Sequence, residues 1–544
     1  MADIQKSERD DLWRPEIPAK HPSLWEPIVL IPGALMGILG VIIGAELITR
    51  VGITPNTSVI GAIVAIAIAR IPILAFKNLR SVHRQNLIQT TISGATFGGA
   101  NALLLPMGIL WLMGKPELVF PMFIGAIIGM IVDAWILYSV FDSRVFPSTG
   151  IWPPGVATAE TIIAGDVGGK RALTLVAGGV VGGLGTYIGY PMDIFGVCWI
   201  GNIWALFMFG VGLLVRGYAK PLINVDINAI YVPHGVMIGA GLVALIQIIR
   251  IMMGKSKAHQ TALETHRATR GEADLKRGFG YGFIAYILGA VIIAIIGGIV
   301  SQMSLLQIIL LVLFAAIAAE VSEIIVGLSA MHAGWFPAFA TALIFLVLGM
   351  LIGFPPLALA FLVGYTASTG PAFADMGYDL KTGWILRGNG DHPEFEMAGR
   401  LEQFKAELLG FAAAIIFLSI FYRAYFESNL FPPVDRVFVA TIKAGTSPEV
   451  LKWLLIWAIP GAIIQFIGGP DRQIGILFAT GLLIMNPKAG WTALVALAIR
   501  LLILRIYGKK VQNTMYVLAG GFIAGSALVS FGTGTVKALS APKK

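Results

Sequence analysis

Apolar runs of about 20 residues, each long enough to cross a hydrocarbon core of about 30 Å, recur from Glu26 to Gly534. They fall near residues 27–48, 57–76, 91–113, 118–141, 172–190, 195–215, 228–253, 279–302, 304–328, 337–353, 355–369, 404–424, 449–468, 473–486, 489–507 and 513–534. None has the roughly ten-residue alternation of transmembrane barrel strands. Segments near 330–370 and 470–490 are short and broken by Gly or Pro, which predicts half-helices or re-entrant elements. The pattern therefore predicts an all-α polytopic membrane protein with about 14–16 transmembrane helices, some short or re-entrant.

The polar positions divide the chain into a tail (1–25), a first transmembrane half (26–253), a basic loop (254–278) and a second half (279–544). The tail lacks the order of a cleavable signal, so the span starting near Pro27 is expected to serve as an uncleaved anchor. Lys77, Arg80 and Arg84 follow the second span, and the 254–278 loop holds Lys255, Lys257, Arg267, Arg270, Lys276 and Arg277. Both clusters belong on the cytoplasmic side. For that to hold, the chain must cross once within 145–170, where "WPPGVATAETIIAGDVGG" (Trp152 to Gly169) replaces an ordinary span. An irregular crossing packed in protein is expected there.

Composition agrees. Only 13% of the residues are charged, about half the share in soluble domains, which is roughly 25%. The net charge of +9 is explained by the loop bias, so no nucleic-acid partner is expected. The single cysteine, Cys198, excludes an internal disulfide and a thiolate metal cluster; no metal or cofactor is expected.

There is an internal echo. "ITPNTSVIGAIVAIAI" (Ile53 to Ile68) resembles "WFPAFATALIFLVLG" (Trp335 to Gly349), "NLIQTTISG" (Asn86 to Gly94) resembles "RLEQFKAELLG" (Arg400 to Gly410), and "VAGGVVGG" (Val176 to Gly183) resembles "LAGGFIAG" (Leu518 to Gly525). The three pairs keep their order, as a tandem duplication with later insertions would leave them. Two repeated halves with discontinuous helices and a site between them is a common plan of secondary transporters.

Ionisable side chains inside the spans cost about 2.5–3.5 kcal/mol or more each, so each calls for a role. They are Glu46, Arg70, Asp133, Glu160, Asp166, Glu320 and Glu323. Glu320 and Glu323 stand three apart and share a helix face. They are able to share a proton, which makes them candidates for proton coupling together with Glu46 and Asp133; the alternative is a solvated helix end. Arg70 is expected to pair with Glu46 or Asp133 and hold helices together.

Pro153, Pro154 and Gly155 forbid a helix running through them, so a half-helix is expected to begin near Val156 and to end in Gly165–Gly169. Its first turn exposes unpaired N–H groups. Pro154, Gly155, Thr158 and Glu160 are therefore cavity candidates, with Glu160 capping the start or meeting a substrate ammonium. The alternative gives the glycines to close helix packing and pairs Glu160 with a basic neighbour. The glycines before Lys170 do not have Walker spacing. There is no HExxH, and "GNGD" (Gly388 to Asp391) sits in the polar stretch "LRGNGDHPEFEMAGR", where an intramembrane aspartyl protease could not use it. No enzymatic activity is expected.

"FPSTGIWPPGVATAETIIAG" (Phe146 to Gly165) resembles the "LPxPxGxAxAEVLxAG" signature of the oligopeptide transporter family, which includes the yellow-stripe-like metal-chelate carriers. "NLIQTTISGATFGGANALLLPM" (Asn86 to Met107), with Gln89 and Asn101 as cavity candidates, is similar to that family's "NIVQTIASAG" helix. "FADMGYDLKTGWILRG" (Phe373 to Gly388) is similar to its "DLKTGxLLG" loop, here Asp379, Lys381, Thr382 and Gly383, followed by Gln403 without the usual second Gln. The "NPGPF" motif is absent, and "GLSAMHAGWFP" (Gly327 to Pro337) departs from the family's "GxxGxxxxP". The resemblance implies proton-coupled symport of oligopeptides or peptide-like conjugates by alternating access. The alternative within transport is a carrier of metal–amino-acid-derived chelates; the alternative of another class is a membrane enzyme or channel. The implied partners are the lipid bilayer of the plasma (inner) membrane, a small peptide-like substrate and protons, with homo-oligomerisation left open.

The loop charge generates a direct test. A cysteine placed at Ser256, in a chain freed of Cys198, should react with an impermeant thiol reagent only after the cells are permeabilised; labelling of intact cells would reverse the orientation.

Overall fold

The computed structural model describes residues 16–50, 57–71, 78–252, 268–334, 336–445 and 448–540. Helix dominates, and the described residues include no β-strand. Eleven of their helices are long and apolar enough to cross a membrane, and four shorter apolar helices accompany them.

The first part comprises α1 (Pro27–Arg50), α2 (Thr57–Ala69), α3 (Val82–Leu112), α4 (Val119–Val140), α5 (Pro153–Val167), α6 (Gly169–Tyr187), α7 (Met192–Ile200), α8 (Ile203–Ile223) and α9 (Val232–Met252). The second comprises α10 (Glu272–Ile296), α11 (Leu305–Ala333), α12 (Ala338–Ile352), α13 (Pro356–Ser368), α14 (Pro371–Leu386), α15 (Pro393–Glu427), α16 (Pro433–Ala444), α17 (Pro448–Gly468), α18 (Ile474–Leu483), α19 (Pro487–Tyr507) and α20 (Gln512–Ser540). Most of the expected basic loop lies outside the described residues; its last part already belongs to α10, which starts at Glu272.

Three elements differ from the hydropathy pattern, for one reason. Hydropathy marks helices that face lipid, whereas a helix packed wholly in protein is free to be polar if its groups find partners. Thus α3 begins at Val82, before the apolar run, and its polar first turns are buried. The "DLKTG" residues are not a loop but part of α14, buried along nearly its whole length. Half of the stretch "LRGNGDHPEFEMAGR" is the start of α15, with Glu396 and Arg400 at about 1% exposure.

The Pro-Pro-Gly break forms a helix start. α5 begins at Pro153 rather than near Val156, because a proline in the first turn gives up only an N–H that has no partner there anyway. Trp152 before it takes a left-handed backbone (φ 41°) and donates its N–H to the Met331 carbonyl at 2.8 Å. Gly168 (φ 67°) closes the helix. At about 1.5 Å per residue this helix is too short to span a bilayer. Its first two turns are buried in protein, as an irregular element at membrane depth requires.

Two of the echoed pairs lie against each other. The glycines of α6 and α20 let backbone meet backbone: Gly178 faces Leu518 and Gly521, and Gly521 faces Gly178 in return. In α3 and α15, Gly94 makes room for Glu407, and Gly410 rests on the backbone of Thr91 to Ala95. The Pro55–Pro337 pair is not compared, because Pro55 lies outside the described residues.

A side chain at Gly178 would put its Cβ 2.6 Å from the Leu518 carbonyl, whereas nothing stands within 4 Å of one at Gly280 of α10. Gly178→Leu should therefore destabilise the detergent-solubilised protein by about 1–3 kcal/mol, read as a lower unfolding temperature. Gly280→Ala should leave that temperature unchanged.

Candidate functional site

The helix interruptions converge on one cavity of about 690 Å³. It is bordered by Pro154 at the start of α5, Pro191 before α7, Gly334 after α11, Pro371 at the start of α14, Pro432 and Pro433 at the start of α16, and Asn486 before α19. Each break leaves backbone groups without an intrahelical partner, so polar backbone collects where few polar side chains stand. α3 contributes differently. Its stretch Gly98–Leu104 is wound as π-helix, and Asn101 within it lines the cavity; such widened turns recur at functional sites. Asp193 in the first turn of α7 and Tyr378 of α14 also reach the wall. The remainder is largely apolar, with Phe97, Phe209, Phe336 and Phe339 among the lining residues.

Beside this cavity, α14 starts from a carboxylate. Asp133 of α4, fully buried, accepts N–H bonds from Gly370 at 2.8 Å and from Phe373 at 2.7 Å. Gly370 holds φ 103°, a conformation that favours glycine. Glu323 of α11 is fully buried and accepts the Tyr286 hydroxyl at 2.6 Å. The Tyr365 hydroxyl in turn donates to the Tyr286 carbonyl at 3.1 Å. Glu320 is only partly covered, and one oxygen each of Glu320 and Glu323 lacks a donor. The helix face shared by these two acids thus turns into the bundle next to Asp133 rather than towards solvent.

The family motif residues hold α14 to its neighbours. Asp379 accepts from Gln89 of α3 at 2.6 Å. Lys381 donates to the Ser148 carbonyl at 2.8 Å and lies 4.2 Å over the Trp384 ring. Thr382 donates to the Gly155 carbonyl at 3.0 Å, which joins the "DLKTG" motif directly to the Pro-Pro-Gly break. Gly383 leaves room for Gln403 and Arg387.

From there a buried chain of charges runs outward. Gln403 donates to the Asp379 carbonyl at 2.6 Å and accepts from Arg387 at 2.7 Å. Arg387 and Arg400 both bind Glu396, at 2.7 and 2.8 Å. Arg400 continues to Asp142 at 3.2 Å and to the Thr269 hydroxyl at 2.8 Å. Asp142 lies in the link between α4 and α5. Burial alone would raise its carboxyl, but the Arg400 guanidinium and donors from Ser148 and Thr269 hold it below the usual carboxylate range.

The other expected residues fall as follows. Asn101 and Pro154 border the cavity. Gly155 packs under α14, and the Thr158 hydroxyl is spent on the Pro154 carbonyl at 2.8 Å. Gln89 orients Asp379 instead of facing the cavity. Glu160 forms an ion pair with Arg171 at the start of α6, because the chain turns back at Gly168 and brings that guanidinium alongside. Glu46 is half-buried on α1. Arg70 does not pair with Asp133, which is taken by the start of α14; it donates to the Gly165 carbonyl. Sequence reasoning missed Asp193, Asp375 and Glu407. Glu407 lies inside the expected 404–424 span, where a scan for ionisable residues finds it, and Asp375 stands four residues before Asp379, where a helical reading of "DLKTG" places it on the same face.

A bundle of membrane-length helices around a cavity bordered by helix ends defines a polytopic membrane protein. The chain belongs to the OPT oligopeptide transporter protein family, whose profile matches residues 27–249 and 224–534. No curated protein matches it at a significant level. The family's members are transporters.

The geometry separates two acids. Asp193→Asn, at the cavity wall, should raise the peptide concentration needed for half-maximal uptake by about tenfold, the loss of one charge-assisted hydrogen bond. Glu160→Gln, which breaks the Arg171 pair, should lower the unfolding temperature and leave half-saturation within about twofold. Uptake kinetics in proteoliposomes with matched unfolding curves check both.

Proposed function

We propose that the protein is a secondary active transporter of the plasma membrane that imports oligopeptides or peptide-like conjugates, coupled to protons, by alternating access. The observation that carries this reading is the central cavity lined by helix ends. Its volume of about 690 Å³ falls within the roughly 300–1,000 Å³ of small-ligand sites. A peptide offers an ammonium, a carboxylate and amide groups, and the wall answers with Asp193, with Asn101 and Asn486, and with backbone groups at six helix breaks. The aromatic lining suits apolar peptide side chains and does not select one sequence.

Asp133 supplies a physical link between proton and site. As a carboxylate it accepts the N–H groups that begin α14; once protonated it offers a donor in place of an acceptor and holds them less well. Glu320 and Glu323 stand beside it as places from which the proton comes and to which it returns. Pro371, next to the capped N–H groups, borders the cavity. A proton passing among these acids thereby loosens or tightens the start of α14 at the substrate site, which is the bistable element that alternating access requires.

Proteoliposomes with an imposed acid-outside gradient test this. The wild-type protein should accumulate a labelled peptide above its external concentration. The double variant Glu320→Gln, Glu323→Gln should lose accumulation by at least about tenfold while peptide exchange across the membrane persists, since exchange needs the site but not proton turnover. Unchanged accumulation removes the pair from the mechanism. Uptake that follows only a metal chelate would replace the peptide reading with the chelate carrier.

A further inference from the structure

Buried carboxylates converge a second time, away from Glu323. Asp375 and Asp379 stand four apart on α14 and share a face. Glu407 of α15 meets them, and oxygens of all three lie within 4.8 Å of one another. All three side chains are fully buried. The surrounding donors serve one side only. Ser93 of α3 donates to Asp375 Oδ1 at 2.6 Å and Ser58 of α2 to the same oxygen at 3.3 Å. Gln89 donates to Asp379 Oδ1 at 2.6 Å. Asp375 Oδ2, Asp379 Oδ2 and both oxygens of Glu407 are left with no donor. Glu407 is within hydrogen-bonding reach of Asp375 when either carries a proton, but as a carboxylate neither of its oxygens meets a donor; it occupies space that exists because residue 94 is glycine, where a Cβ would stand 2.7 Å from the Glu407 carboxyl carbon.

No described Lys, Arg or His pairs with any of the three. The groups facing them are Ser58 from α2, Gln89, Thr90 and Ser93 from α3, and Tyr378 on α14 itself. Three uncompensated carboxylates out of water would each cost several kcal/mol, so the cluster must gain positive charge, as bound protons or as a cation. Oxygen donors select a hard cation over a soft one. Opposite ligands about such an ion, at about 2.3–2.6 Å each, stand up to about 5 Å apart, which the cluster's 4.8 Å accommodates. A divalent ion with one retained proton neutralises the three carboxylates and leaves two of them as ligands, whereas a monovalent ion needs two retained protons and leaves only one.

We propose that Asp375, Asp379 and Glu407 form a binding site for a hard divalent cation that fastens α14 to α15 beside α2 and α3. The site does not touch the peptide cavity and does not depend on the transport reading. Because its ligands bind metal only when deprotonated, protons compete with the ion. The ion and the Asp133 cap then grip the same helix at two points, so cation release frees α14 along its middle as Asp133 protonation frees its start.

The test uses the purified full-length protein in detergent, stripped with EDTA and titrated with Mn²⁺, followed by electron paramagnetic resonance and by thermal unfolding. One Mn²⁺ per chain should bind at pH 7.5, raise the unfolding temperature, yield to Ca²⁺ but not to Na⁺, and bind at least tenfold more weakly at pH 5.5. Asp379→Asn and Glu407→Gln should each reduce affinity at least tenfold, while Glu320→Gln with Glu323→Gln should not change it. The absence of saturable Mn²⁺ binding to the wild-type protein overturns the site even if the variants fail to fold. Binding that survives Glu407→Gln, or a response to Na⁺ alone, overturns it as well. A protein that binds Mn²⁺ in this way but takes up no peptide leaves this inference standing and defeats only the proposed substrate.

Discussion

The structure depends on keeping a polar helix dry. α14 carries Asp375, Asp379, Lys381 and Thr382, all at 5% exposure or less, in the most buried of the membrane-length segments. Every ionisable group there would cost several kcal/mol without a partner, so the neighbouring helices are arranged around its needs. α3 offers Gln89 and Ser93, α4 offers Asp133, α5 offers the Gly155 carbonyl, and α15 offers Gln403. What packs against α14 is consequently polar where it meets that helix and apolar elsewhere.

This constraint also explains the cavity. A short helix that starts inside the bundle must have its first N–H groups met by something other than lipid. Asp133 meets those of α14, and the Trp152 turn with its link to Met331 sets the start of α5. Both starts then open towards the same space, next to the ends of α7, α11 and α16. The Thr382–Gly155 bond ties the two short helices into one unit, and the Arg387–Glu396–Arg400–Asp142 chain anchors that unit to the outer links. A movement of α14 would therefore carry α5 with it.

Glycine supplies the room for these approaches. At α6 and α20 the backbones touch through Gly178 and Gly521, and at α3 and α15 through Gly94 and Gly410. In a bilayer, where apolar side chains gain little by leaving lipid for protein, such close contacts are a main source of association. Two of the three pairs of resembling strings are in contact, and in each a glycine on either partner makes the approach possible.

Membrane class and helical architecture were legible in the sequence, because hydropathy over about 20 residues reports directly on transfer into lipid. The family was legible too, in the Pro-Pro-Gly break and "DLKTG". The character of those motifs was not. Hydropathy read α14 and the start of α15 as polar loop, since a polar helix and a polar loop look alike until its partners are known. A half-helix was expected to begin just after Pro153 and Pro154, near Val156; it begins at Pro153 itself, because the first-turn N–H groups need no intrahelical partner. Of the two readings open for Glu160, a substrate ligand or the partner of a basic neighbour, the turn at Gly168 supplies the second by bringing Arg171 beside it. Asp375, Asp379 and Glu407 became one cluster only through the crossing of α14 and α15. Sequence alone decided which apolar segments leave water, because that is a property of each segment by itself; which polar segments are buried with them, and which buried charge meets which, depends on contacts between segments, and those only the tertiary structure decided.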